Sequence, residues 1–480
     1  MDFTEIYRQS AGHVAFSPGA HFILTAVADR LVVRRADTFH VSRSWQVPCS
    51  PTPSAAAIAS TTSSRSVRPG PNADSLTQTA ISHIAWSPDS EYVFAACAKL
   101  GHVYVFRMRD EDWTAHIEAG AEGLIRAEWA PDGRHVLCFS EWGLRLTIWS
   151  LVTRIATYIQ YPLHPDRGHA FRQDGRYFVL AERHKSKDTI SVYDATNSFS
   201  LARHFPLPTS SMSSLALSPS GNHIAVWEGP LEFRLLILSL AGDVLGTFKP
   251  DLDPGFGIRN VVWHPSGMFL AVSGWDNKIH ILEQLTWSSV ATLELGTRIP
   301  ANVTIWREPS NWLEATEGRG FLSYEKLEGP HPLNANRVDN SKAYPKCGTT
   351  QLEFNKAGTL LMARFENVPT AVHLFAFPGP GEAFSPRLRS VLLHSSAVAH
   401  AQWNPLRQGR LAISCGGQAI YLWSEEWIGE GGAEEEMAEC VGIPAKKFDA
   451  LDVRWAPDGK GLLLIDRETF CCAFEVGPEP

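Results

Sequence analysis

The chain has 480 residues, 44% of them hydrophobic and 20% charged, with 36 Gly and 31 Pro, a composition that excludes a mainly disordered protein. A formal charge of −8 and a pI near 6.1 speak against nucleic acid as the main partner, because neutralising phosphates needs a basic face. The apolar run at residues 235–240 is broken by Ser239, and no apolar run approaches the ~20 residues that span a bilayer.

The opening MDFTEIYRQS carries an acid and no apolar stretch, so it is not a signal peptide. Within it, residues 3–9 alternate as a strand does. The first of nine copies of one short pattern follows: an apolar or aromatic residue, a small or polar one, usually Pro, a Gly turn, then a second apolar run. It reads AFSPGAHFIL from Ala15. Residues 49–78 then interrupt with Ser, Thr, Pro and Ala. That composition cannot bury a core and is expected to be disordered. Ser50-Pro51 and Thr52-Pro53 in it are minimal proline-directed phosphorylation sites.

The copies resume as AWSPDSEYVF from Ala85, EWAPDGRHVL from Glu128, AFRQDGRYFV from Ala170, ALSPSGNHIA from Ala216 and VWHPSGMFLA from Val262. A second insertion, residues 298–348, mixes strand-like pieces with GPHPLNAN. The pattern returns as EFNKAGTLLM from Glu353, QWNPLRQGRL from Gln402 and, after a Glu-rich stretch at 425–439 read as an acidic loop, RWAPDGKGLL from Arg454. Six of the eight steps between copies lie near the roughly 40–45 residues of a WD-repeat propeller blade. Short β-rich runs between Gly, Pro, Asp and Asn turns at this spacing indicate an all-β repeat fold. In the Pro-Asp-Gly turns Pro presets φ, Asp caps the turn and Gly takes the positive φ. Sixteen Trp suit packing between blades.

The expected architecture is therefore one closed ring of about nine four-stranded blades, with residues 3–9 completing the last. Ten blades, the extra one over residues 302–327, or two packed propellers are the alternatives.

Chemistry-bearing motifs are missing. No G-x-x-x-x-G-K-[ST], G-x-S-x-G or H-E-x-x-H occurs, and no cofactor, metal site or catalytic residue is expected. The eight cysteines have no Cys-x-x-Cys spacing and read as reduced, intracellular thiols. Binding is the function left, and a rigid propeller with loops on two faces suits a scaffold.

Beyond the repeat, LAERHKSKDTISVYD from Leu180, IAVWEGPLEFRLLILSLAGDVL from Ile224, FLAVSGWDNKIHILEQLTW from Phe269, ENVPTAVHLF from Glu366 and WNPLRQGRLAISCGGQAIYLW from Trp403 resemble the centrosomal and spindle-pole WD-repeat protein family. RLVVR at Arg30 and EWAPDGRHVL at Glu128 extend the match from the first blade to the last. The resemblance implies a non-enzymatic scaffold in the cytoplasm and cytoskeleton, at the spindle pole body or centrosome. It implies a coiled-coil microtubule-anchoring partner, a minus-end-directed kinesin-14, and indirect links to gamma-tubulin-containing assemblies or microtubules, with no nucleic acid or membrane. Candidate partner-binding residues are Arg183, Lys185 and Lys187 in ERHKSKD, Trp227 and Glu228, and Glu366 and Asn367. Each sits at an apparent strand junction, and each is equally readable as a local structural turn. The alternative functions are a WD-repeat scaffold in translation or RNA-related complexes, marked by a basic face, and a propeller hydrolase, marked by polar groups converging on a central channel.

Overall fold

The structure, a computed structural model, describes residues 1–48, 81–252, 254–318, 320–327, 329–339, 345–379, 381–428, 434–445 and 447–475. The insertion expected to be disordered, residues 49–78 with Ser50 and Thr52, lies outside them. The described residues form nine sheets of four or more strands and one two-stranded sheet. We number the nine as blades 1–9 in chain order: residues 14–46, 83–118, 126–160, 169–206, 212–248, 260–294, 349–393, 400–442 and 452–474. Two compact units divide them. One holds blades 1–3, with residues 6–165 and 467–470. The other holds blades 4–9, with residues 1–5, 166–466 and 471 onward.

Within the residue range of each blade, consecutive strands pair antiparallel as a meander. The second strand is apolar on both faces: every residue of Tyr92–Cys97 is buried, as is every residue of Gly461–Ile465. The fourth strand is the opposite, and Ser200–Pro206 is exposed almost throughout. This gradient follows from packing, since inner strands lie between neighbouring sheets while outer strands meet water. Within each unit the apolar clusters accordingly fall between consecutive blades: 1 and 2, 2 and 3, 5 and 6, 6 and 7, 7 and 8, 8 and 9.

All nine copies of the repeated pattern prove to be the turn between a blade's first and second strands. A backbone N–H closes each one, from Ser17, Ser87, Ala130, Arg172, Ser218, His264, Asn355, Asn404 and Ala456 to the carbonyl at the start of the second strand, at 2.8–2.9 Å. The left-handed residue is Gly in six copies, at 133, 175, 221, 267, 358 and 459, but Ala20 and Ser90 in the first two. Five copies have Trp before the turn, and its indole does more than fill space. Trp86, Trp129, Trp263, Trp403 and Trp455 each donate Nε1–H, at 3.0–3.3 Å, to the carbonyls of Ala15, Ala85, Ala216, Glu353 and Gln402. Each acceptor occupies the equivalent place in the preceding blade, so sheet is tied to sheet by one recurring bond.

Asp2–Phe3 pairs with the last strand at Phe474 and Ala473. Tyr7–Arg8 pairs with the same strand at Phe470 and Thr469.

Two expectations change. Residues 302–327 do not make a tenth blade. Thr304–Arg307 joins the edge of blade 7, parallel to Arg387–Leu393, and carries Glu325–Leu327 outside it. Phe321–Ser323 joins the edge of blade 8 against Glu434–Gly442. The segment has too few strand residues to bury two faces, so existing sheets absorb it. Nor is 425–439 mainly a loop. Ala419–Ile428 and Glu434–Gly442 run through it as paired strands, because apolar residues alternate with its acids: Trp423 and Ala438 are buried opposite each other, and buried Leu422 stands opposite Glu439.

Candidate partner-binding surface

The residues singled out from sequence are placed as follows. Tyr177–His184 and Lys187–Asp194 form a long hairpin in blade 4 whose tip, Lys185-Ser186, has φ of 50° and 62°. Two left-handed residues in a row match the strand twist of a tight hairpin. Lys185 and Lys187 are exposed at that tip. Arg183 is engaged lower down: its Nε donates to Asp188 at 2.6 Å. Asp188 is buried, and it also accepts from the Met212 amide at 2.7 Å and the Thr209 hydroxyl at 3.2 Å.

Trp227 and Glu228 end the second strand of blade 5, and both are buried. The Glu228 carboxylate accepts from the Ser210 and Ser211 amides and lies 3.7 Å from Arg234. Glu366 pairs with Arg259 at 2.7 Å, and the same guanidinium donates to the Cys347 carbonyl. Asn367 is buried, and its carbonyl accepts from the Asn336 amide of the second insertion at 2.7 Å. Five of the seven residues thus hold hairpins and neighbouring segments in place. Only the two lysines offer open charge at a tip.

Two features were not legible as sites in the sequence. The first is the seat of the second insertion. Glu308 is buried and accepts from Trp312 Nε1 at 2.8 Å, the Tyr421 hydroxyl at 2.7 Å and the Ser395 amide at 2.6 Å. Burial alone raises a carboxyl, but those donors hold Glu308 below the usual carboxylate range. Beside it, Tyr324 and His394 share a 3.0 Å hydrogen bond. Burial pushes His394 down to about 4 and Tyr421 well up, so both are neutral around the one carboxylate. A second acid, Glu436, accepts from Trp306 Nε1, Trp423 Nε1 and Ser390 Oγ at 2.5–2.9 Å. Above this seat opens a cleft of about 520 Å³, lined by Arg307, Glu308, His331, Asn334, Thr370 and His394 among others.

The second feature is the end of blade 3. Trp142 sits between the second and third strands with φ 61° and ψ 15° and is 89% exposed. Gly143 follows at φ 61°, where an added Cβ would stand 2.7 Å from the Pro162 carbonyl oxygen. The alanine-and-larger residues pay about 1–2 kcal/mol for that backbone region, yet Tyr161, also exposed, takes φ 59° beside it. The Tyr161 amide donates to the Leu144 carbonyl. Tyr158 on the outer strand lies under the Arg145 guanidinium at 4.7 Å, and Arg145 pairs with Glu122 at 3.0 Å. Ile125, Leu144, Val152 and Ile155 add exposed apolar surface to the same blade. Exposed Trp and Tyr on a strained, pre-shaped backbone, beside a half-buried Arg, are the residue types that dominate protein–protein contacts.

Known proteins now place the chain. WD repeat-containing protein WRAP73 of Mus musculus is 30% identical over 497 residues, covering 99% of this chain and 96% of the mouse protein. The chain belongs to the family of that protein. The family model "WD domain, G-beta repeat" matches residues 242–282, which run from the outer strand of blade 5 through the third strand of blade 6. A WD repeat-containing protein of Schizosaccharomyces pombe is 22% identical over 392 residues, covering 78% of this chain and 76% of its own. Among solved structures, the C-terminal WD40 domain of Sif2 aligns over 92% of this chain and 99% of that domain, with 10% identity and a TM-score of 0.48. The fold class is all-β, a WD-repeat β-propeller of nine blades, and the protein is a protein-interaction scaffold of a family that is typically non-enzymatic.

Proposed function

We propose that this scaffold works at a microtubule-organising centre, the spindle pole body or centrosome. There it holds a coiled-coil anchoring protein and, with it, a minus-end-directed kinesin-14, so that microtubule minus ends stay anchored and the spindle assembles. The observation that carries the reading is the resemblance of ERHKSKD, WEGPLEF and ENVP to the spindle-pole family, supported by similarity to the mouse relative along the whole chain. We assign the aromatic end of blade 3 as the contact. An amphipathic helix from the coiled-coil partner lays its apolar stripe over Trp142, Tyr158 and Tyr161 in helix-in-groove fashion.

The test is mitotic affinity purification of the tagged protein, with imaging of the same tag, in wild type and in the Trp142→Ala/Tyr158→Ala variant. The expected result is recovery of a coiled-coil protein and a kinesin-14 with signal at the poles, and loss of the coiled-coil protein in the variant. A diffuse signal with ribosomal partners would instead support the reading in translation or RNA-related complexes and remove the spindle. Undiminished capture by the variant would move the contact away from blade 3.

A further inference from the structure

Blade 2 carries a cluster for which a scaffold has no obvious use. On its paired strands His102–Arg107 and Thr114–Glu118, His102 stands opposite Glu118 and Tyr104 opposite His116. Side chains alternate along a strand, so these four share one face, while Val103, Val105 and Ile117 are buried on the other. The two imidazoles meet edge to face with centroids 4.7 Å apart. Tyr104 lies flat on His116 at 4.7 Å and 6°, and Glu118 Oε1 is 3.7 Å from His116 Nδ1. One nitrogen from each ring and one carboxylate oxygen all lie within 4.8 Å of one another.

The neighbours also set the protons. The Tyr104 hydroxyl donates to the Pro48 carbonyl at 3.1 Å, so its oxygen is left to accept from His102 Nδ1 at 3.2 Å. His102 then carries its proton on Nδ1 and keeps the lone pair on Nε2, the arrangement that outer groups impose on metal-bound imidazoles. Neutral imidazole is the form that binds metal.

We propose that His102, His116 and Glu118 bind one divalent transition-metal ion, zinc by donor chemistry, with the remaining position open to water or to a side chain of a bound protein. Two imidazole nitrogens and a carboxylate oxygen form a zinc donor set, at about 2.0–2.2 Å from the ion. Nitrogen donors disfavour calcium and magnesium, which take oxygen ligands. Closing the three atoms onto one ion asks for a shift of about 1 Å. His116 and Glu118 are exposed at the strand surface and have room to make it.

The experiment uses the full chain stripped with a chelator and titrated with Zn²⁺ by calorimetry and with Co²⁺ by visible absorption. One equivalent is expected to bind with a micromolar or lower Kd, to give the absorption of a low-coordinate cobalt centre and to raise Tm. His102→Ala and His116→Ala should each weaken binding at least tenfold, and Tyr104→Phe, which frees the His102 tautomer, by about tenfold. Circular dichroism and Tm of metal-free His116→Ala, whose change lies at the exposed strand surface, should match metal-free wild type. Binding no tighter than millimolar would overturn the site. So would undiminished binding in the His102→Ala/His116→Ala double variant, which would place the ion elsewhere, on thiols for instance.

Discussion

Blades 3 and 8 grow from the same repeat and end in opposite ways. In blade 3 the fourth strand, Ala156–Gln160, is the last of its sheet, and Tyr158 faces water. In blade 8 the fourth strand, Glu434–Gly442, is covered by Phe321–Ser323 of the insertion, and its Glu436 accepts hydrogen bonds from the indole N–H groups of Trp306 and Trp423. An open sheet edge is a place where another chain can add or press. A covered edge with a satisfied polar network specifies one arrangement of its own chain. The same scaffold therefore leaves one edge open and uses another to seat an insertion of its own chain.

The comparison breaks first at Glu308. Glu308→Ala leaves two buried donors, on Trp312 and Tyr421, and the part-buried Ser395 amide without an acceptor. Denaturant unfolding should show a loss of about 3–5 kcal/mol, and limited proteolysis should cut within the insertion before the blades. Glu308→Gln, which keeps one acceptor oxygen, should lose about 1–2 kcal/mol. If both variants match wild type, the network is ornamental and blade 8 is no better specified than blade 3.

A second test is pH. Burial pushes His373, inside blade 7, from 6.5 down to about 4. The unfolded chain therefore takes up this proton first as pH falls. The native state loses on the order of 2–3 kcal/mol between pH 6.5 and 4 from this group alone, and nothing above that window. The difference in stability between wild type and His373→Leu should change by that amount across the window. A flat difference would mean that the ring is hydrated.

Smaller effects sharpen the shared part of the two blades. Trp129→Phe and Trp403→Phe remove the same bond between neighbouring sheets, to Ala85 and to Glu353. Each should lower stability by about 1–2 kcal/mol through the lost donor and the smaller ring. Unequal losses would show that the insertion also strengthens the blade core. The smallest stability effect belongs to Trp142→Ala. An exposed residue in a strained conformation gives up little, so unfolding should move by less than about 0.5 kcal/mol while capture of the coiled-coil partner falls. A large destabilisation would make Trp142 a structural residue instead.

How much could be read in advance differs between elements. The nine turns were legible because their conformation is local: a polar residue, Pro and Gly close the same backbone bond whatever surrounds them. Copies one and two show the limit, since the left-handed position falls to Ala20 and Ser90 and Gly19 next to it does not take it. The candidate residues show another. Glu228 reads as a surface polar group because a chain written in one dimension hides the serine amides that meet it.

By itself, the amino-acid order determined the all-β class, the number of repeats, the position of every first turn and the two long interruptions, because turns and two-residue alternation depend on neighbours a few places apart. The tertiary structure alone decided the rest. It placed residues 302–327 on the edges of blades 7 and 8, gathered Glu308, Tyr324, His394 and Tyr421 around one carboxylate, and set His102 against His116. It also left Trp142 in water. Those outcomes depend on residues 14 to 130 positions apart, and burial of a charge or exposure of a ring is settled only when distant strands have packed.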